Sequence, residues 1–129
     1  QDAEDLLVYV TGFRPSGTDI KVYTKLINAE DYNKFDDKLW SIMDNQSPEI
    51  YSSSMDTNDF REFQFKLPFS AITGGAFRDA SNFNIVKYIG TSGEIYLGFK
   101  QFAIKIVMVS DSPNTVPIVN DVRCIALQV

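Results

Sequence analysis

The chain has 129 residues, 44% of them apolar and 22% charged, a length and balance that fit one folded domain with a real core and exclude a disordered chain. Its net charge of −5, with twelve scattered Lys and Arg, argues against nucleic acid as a partner, because phosphate neutralisation needs a concentrated basic surface. Histidine is absent and there is one cysteine, so the usual general base, the commonest metal ligand and an internal disulfide all drop out.

Asp2, Glu4 and Asp5 precede LLVYVTGF, residues 6–13, apolar on both faces of an extended chain, the pattern of a strand covered on two sides. Arg14-Pro15-Ser16-Gly17 reads as a turn, with proline fixing φ and glycine supplying a positive φ. DIKVYTKLI, residues 19–27, alternates cleanly: Ile20, Val22 and Leu26 face in, and Lys21, Tyr23 and Lys25 face out. With the turn before it, this run predicts a β-hairpin with residues 6–13. Residues 28–38 predict a loop with one helical turn, and Leu39 to Met43 a short strand that plants Trp40 near the core edge.

Residues 44–59 are polar, serine-rich and broken by Pro48, so they form a long excursion. FREFQFKLPF, residues 60–69, sets Phe63, Phe65 and Leu67 against Glu62, Gln64 and Lys66 and stops at Pro68. A mobile connection is expected around Gly74-Gly75. FNIVKYIG, residues 83–90, is a strand; Thr91-Ser92-Gly93 turns the chain and EIYLG returns it. FKQFAIKIVMV, residues 99–109, is the longest alternating run, followed by a turn and by DVRCIALQ with Ile125, Leu127 and Val129 on one face. These last two runs read as central antiparallel neighbours that carry the core, with Val22, Phe65, Ile104, Ile106 and Leu127 buried. Cys124 reads as a small core residue.

Seven or eight short strands with turn signals between them and almost no helix predict an all-β, two-sheet antiparallel β-sandwich as a single domain over residues 1–129. A chain beginning at Gln1 reads as a fragment, a processed product or a tag-cleaved piece of a longer protein. No run is long and apolar enough for a membrane span, so no membrane partner is expected.

No catalytic residue, cofactor site or metal site is predicted. Glu30, Asp31, Asp36 and Asp37 form the densest acidic group, but a calcium loop needs a glycine in its turn and AEDYNKFDDK has none. It reads as a solvated acidic loop. Tyr32, Tyr51 and Tyr96 are the aromatics placed to reach a surface. The loops at 43–60 and 70–82 carry Tyr51, Met55 and Phe77 without an evident core position, which makes these three residues the candidate contacts for a protein partner.

Two stretches resemble known proteins. YVTGFRPSGTDIKVYTKLINAEDYNKFDDKLWSIM and FKQFAIKIVMVSDSPNTVPIVNDVRCIALQ resemble segments of virion structural proteins of T4-like tailed bacteriophages, and NDFREFQFKL fits between them. Residues 20–42 and 102–127 are also similar in layout to the galactose-binding-like (discoidin-type) jelly roll. The resemblance implies a jelly roll whose first and last strands lie close. It also implies a non-enzymatic part of a tail or baseplate, assembled in the host cytoplasm. The partners so implied are other virion proteins or further copies of the chain. A carbohydrate-binding jelly roll on a phage fibre or bacterial surface protein is the alternative. The exposed aromatic loop cluster of sugar-binding members is not evident in this sequence.

Overall fold

The structure is a computed structural model that describes residues 2–69, 75–81, 84–90, 93–112 and 114–128. The chain is all-β, with ten strands and a single 3-10 turn at Phe35–Asp37 among the described residues. The first strand, β1 (Asp5–Phe13), is central to a sheet in which β10 (Ile118–Leu127) lies on one side of it. On the other side is β5 (Arg61–Lys66), followed by the two-residue β4 (Asp44–Asn45). The second sheet is built on β2 (Thr18–Ile27), with β3 (Ser41–Ile42) on one side and β9 (Gln101–Ser110) on the other. All pairings are antiparallel.

Alternation decides which residues meet between the sheets. Leu6, Val8 and Val10 of β1 share a face with Phe63 and Phe65 of β5. They pack against Ile20, Val22 and Leu26 of β2 in one buried cluster. Two sheets joined through their apolar faces make a β-sandwich. Thr18 and Thr24 are the polar side chains of the β2 inner row; the Thr18 hydroxyl donates to the Pro15 carbonyl at 2.7 Å and that of Thr24 to the Ala103 carbonyl at 2.9 Å. Those bonds remove the penalty of burying them.

A third, smaller sheet closes one end: β6 (Phe77–Asp79), β7 (Ile85–Ile89) and β8 (Ile95–Leu97). It hangs on the start of β1, where the Val86 N–H donates to the Glu4 carbonyl at 2.8 Å and Ala3 bridges Phe99. Val86, Tyr88 and Phe99 plug that end of the core.

β1 and β2 are not a hairpin. Arg14-Pro15-Ser16-Gly17 carries the chain across the sandwich from one sheet to the other. The reason is local: Ser52 takes both backbone groups of Arg14, its Oγ accepting from Arg14 N–H at 3.0 Å and its N–H donating to Arg14 C=O at 2.9 Å. Those groups are then lost to any pairing with β2. Gly17 turns the arch at φ 87°, in the left-handed region.

β9 and β10 are not neighbours either, and neither is central. Each is the outermost strand of a different sheet, β9 beside β2 and β10 beside β1. The 111–117 loop crosses between the sheets, and Asp111 N–H donates to the Gly17 carbonyl at 3.0 Å beside the β1–β2 arch. A long alternating apolar run reads the same at an edge and at a centre, since only neighbours distinguish them. Val22 and Phe65 are buried as expected, whereas Ile104, Ile106 and Leu127 are half-buried. The face of β10 turned to the core is also the opposite one. Val122, Cys124 and Ala126 pair with Val10, Val8 and Leu6, while Ile125 and Leu127 pair with the outer residues Leu7 and Asp5.

Candidate protein-interaction surface

The 43–60 excursion is held more firmly than its polar composition suggests. Arg14 is buried at the arch, and its Nη1 donates to the carbonyls of Ile50 at 2.8 Å and Pro48 at 3.2 Å. Its Nε and Nη2 reach Asp19 Oδ1 at 3.3 and 3.2 Å. The guanidinium lies 4.4 Å from the centre of the Tyr51 ring, within cation–π range. One buried cation therefore gathers strand, arch and loop. Tyr51 is exposed on its outer side, and Met55 stands at the loop tip, 93% exposed.

Phe77 is not in a loop. It opens β6, half-buried, with the Lys87 ammonium 5.1 Å from its ring centre. Residues 70–74, part of the expected connection around Gly74-Gly75, lie outside the described residues. Tyr51 sits at the Arg14 arch, whereas Phe77 belongs to the small sheet that closes the other end. The three candidate contacts do not form one patch.

The acidic loop is not wholly solvated. Asp31 turns inward and is buried, accepting from the Tyr88 hydroxyl at 2.7 Å, from the Asn33 N–H at 3.0 Å and from Lys38 Nζ. Burial pushes the Asp31 carboxyl up, but the Lys38, Tyr88 and Asn33 donors outweigh it and hold the group below the usual carboxylate range. Burial pushes the Tyr88 hydroxyl well above its ordinary value, so it stays a neutral donor. The same hydroxyl accepts from the Asn28 N–H at 2.9 Å. The Asn28 amide donates to the carbonyls of Leu97 and Gly98, tying the loop to β8. A cleft of about 290 Å³ lies over Tyr88, lined also by Leu26, Lys38, Leu39 and Ala76. Three of its polar side chains are engaged, Lys38 and Tyr88 with Asp31 and Ser41 with the Ala76 N–H, which is the pattern of a structural knot. Among the described residues, no three Cys, Asp or Glu side chains are grouped so as to hold a metal ion, and no helix is long and apolar enough to cross a membrane.

The aromatics flagged for a surface are dispersed. Tyr32 is almost fully exposed, Tyr96 is half-buried with its ring centre 5.2 Å from that of Tyr88, and Tyr51 is covered on one side by Arg14.

Apolar side chains are exposed along the edge formed by β9 and β10. The β9 residues paired with the buried row of β2 are Phe102, Ile104, Ile106 and Met108. The β10 residues paired with the buried row of β1 are Val122, Cys124 and Ala126. Both rows are aimed at the core and carry no charge. Yet Met108 is 51% exposed, Val122 is 37% exposed, and Cys124 and Ala126 are exposed. Cys124 is therefore not a filled core position, because its strand pairs β1 on one side and, among the described residues, no further strand on the other. Desolvation raises its thiol, which keeps the nucleophilic thiolate scarce at neutral pH.

The opposite edge is sealed differently. β3 and β4 are two residues each, and between them Met43 is buried with its N–H donating to the Val22 carbonyl at 2.8 Å. Short edges are one way proteins protect a sheet. β9 and β10, ten residues each, lack that protection. Sequence reasoning missed this edge because a strand face that is apolar and covered has the same alternation as one that is apolar and open. In comparison with known proteins, no family model, no curated protein and no solved structure matches the chain.

Proposed function

We propose that the chain is a non-enzymatic structural module that works through protein–protein contacts. The observation that carries this reading is the half-covered apolar inner rows of β9 and β10, from Phe102 to Met108 and from Val122 to Ala126, which lie along two strand edges that pair with no further strand among the described residues. A contiguous apolar surface with free backbone donors and acceptors beside it is the chemistry of a protein interface. Setting the module in the virion of a tailed bacteriophage, in tail or baseplate, is supported by the resemblance of the first and last thirds of the sequence. The jelly-roll likeness belongs to the same reading and is supported by the pairing of β1 with β10.

Two measurements test the proposal. Mass spectrometry of purified particles from the source is expected to find the chain at fixed stoichiometry, and a glycan array is expected to give no saturable signal. Absence from particles overturns the virion setting. Saturable glycan binding overturns the assembly reading in favour of the carbohydrate-binding alternative.

A further inference from the structure

The β9/β10 edge is complementary to itself. β10 carries Asp121 and Arg123 on its outer row, on either side of Val122. If Val122 faces Val122 of a second copy across a two-fold axis, antiparallel pairing sets Asp121 opposite Arg123 of that copy and Arg123 opposite its Asp121. Opposite charges directly across an antiparallel pair stabilise it. Arg123 already reaches Glu62 at 2.8 Å, so the cation is held on that face of the sheet.

The same axis serves the second sheet. Val122 pairs with Val10 and Ile106 with Val22, and the bulge in β10 opposite Thr11/Gly12 takes up one residue, so an axis normal to the sheets through Val122 passes about one residue from Ile106, between it and Val107. β9 then meets β9 of the second copy, also antiparallel. An axis there does not set Lys105 opposite itself, so the two lysines do not face each other. One operator thus satisfies both free edges. An added single strand would satisfy one and leave the other open. The area is also of the right size. Strands of ten residues run about 33 Å and stacked sheets stand about 10 Å apart. With side chains the face is roughly 600–800 Å² per copy, near the ~800 Å² per partner of a standard interface.

We propose that two copies of this chain join edge to edge across a two-fold axis at Val122, pairing β10 with β10 and β9 with β9. This deepens the assembly reading above and rests on it. Each sheet becomes continuous through the dimer, and the inner rows Phe102 to Met108 and Val122 to Ala126 of one copy are covered by those of the other.

Sedimentation equilibrium of the full 129-residue chain, from about 1 to 200 µM, is expected to show a dimer. Val122→Lys places two ammonium groups at the axis and is expected to weaken dimerisation about a hundredfold or more. Asp121→Lys, on the exposed outer row, sets a lysine against Arg123 of the second copy and is expected to weaken it too. Circular dichroism melting verifies that both variants remain folded. Val122→Cys in a Cys124→Ser background tests the register. Directly opposed residues in an antiparallel pair have Cα atoms about 4.5–5.5 Å apart, within disulfide reach, so mild oxidation is expected to give a covalent dimer. Met55→Cys in the same background is expected to give none. A monomeric parent chain across the whole range overturns the proposal, as does a dimer indifferent to both lysine variants. A chain that stays monomeric but takes up an extended apolar peptide at this edge also overturns it, while leaving the assembly reading standing. Saturable glycan binding sinks the assembly reading itself, whatever the oligomeric state.

Discussion

Two buried polar residues, Arg14 and Asp31, tie loops to the strands. Arg14 supplies donors to the carbonyls of Pro48 and Ile50 and neutralises Asp19 from a buried position. Removing it strands two acceptors, so Arg14→Ala is expected to cost about 2–3 kcal/mol in urea denaturation. Arg14→Lys is expected to recover only part of that, because an ammonium lacks the planar fork that reaches the two carbonyls and Asp19 from separate nitrogens, and loses the stack on Tyr51. Asp31 makes a pH prediction. Its carboxyl is depressed in the folded chain, so its stabilising contribution is complete above the unfolded value of about 3.9 and is lost as pH falls through the lower folded value. The acid limb of a stability–pH curve is therefore expected to be shallower in Asp31→Asn, which also loses stability at pH 7. An acid limb identical in slope to that of the parent chain would assign the loss to other carboxylates.

At the scale of elements, burial depth separates strands that look alike in sequence. Phe65 is fully buried between β1 and β4, and Phe65→Ala is expected to cost about 3–5 kcal/mol. Ile104→Ala, on half-buried β9, is expected to cost no more than about 1–2 kcal/mol in solutions too dilute for two copies to pair, because part of the side chain is then in water. Equal losses in the two variants would mean that β9 is covered in solution. The 43–60 excursion divides in the same way. Deleting 54–57 removes only the exposed tip around Met55 and is expected to change stability by less than about 0.5 kcal/mol. Deleting 45–58 takes away Asn45 of β4, the carbonyls held by Arg14 and the Ser52 contacts, and is expected to destabilise the whole chain. The alternating runs were legible because period two survives whatever a strand pairs with. Val22, Phe65, the inner rows of β2 and β5, and the single helical turn before β3 all follow from local pattern. Pairing partners did not follow, since the arch at Arg14 depends on Ser52, which lies far along the chain. The inward turn of Asp31 was illegible for the same reason: Tyr88 and Lys38 draw it in, and neither is near enough in sequence to signal it.

For the molecule as a whole, the decisive asymmetry is between a sealed edge and an open one. Buried Met43, between β3 and β4, bonds Val22 of β2 on one side, while β9 and β10 present ten-residue borders on the other. β1, which enters the fold first, finds its main partner in β10, which enters last, so the sandwich closes only when the two ends of the chain meet. Such long-range pairing is slow to form, and folding on the millisecond-to-second scale is expected, checked by stopped-flow refolding. It also dictates where native-state hydrogen exchange is fast. Amides in the middle of β1, from Val8 to Gly12, and around Tyr23 and Thr24 of β2 lie between two neighbouring strands and are expected to exchange last. Along β9 and β10 every second N–H bonds β2 or β1, and the alternate ones point away from the sheet. In dilute solution those alternate amides are expected to exchange fastest of any within the strands. Raising the protein concentration is expected to slow them in both strands together, because one two-fold axis engages both borders. Protection that rises in β10 alone would mean a single added strand and not a shared axis. Exchange independent of concentration would leave the border open in solution.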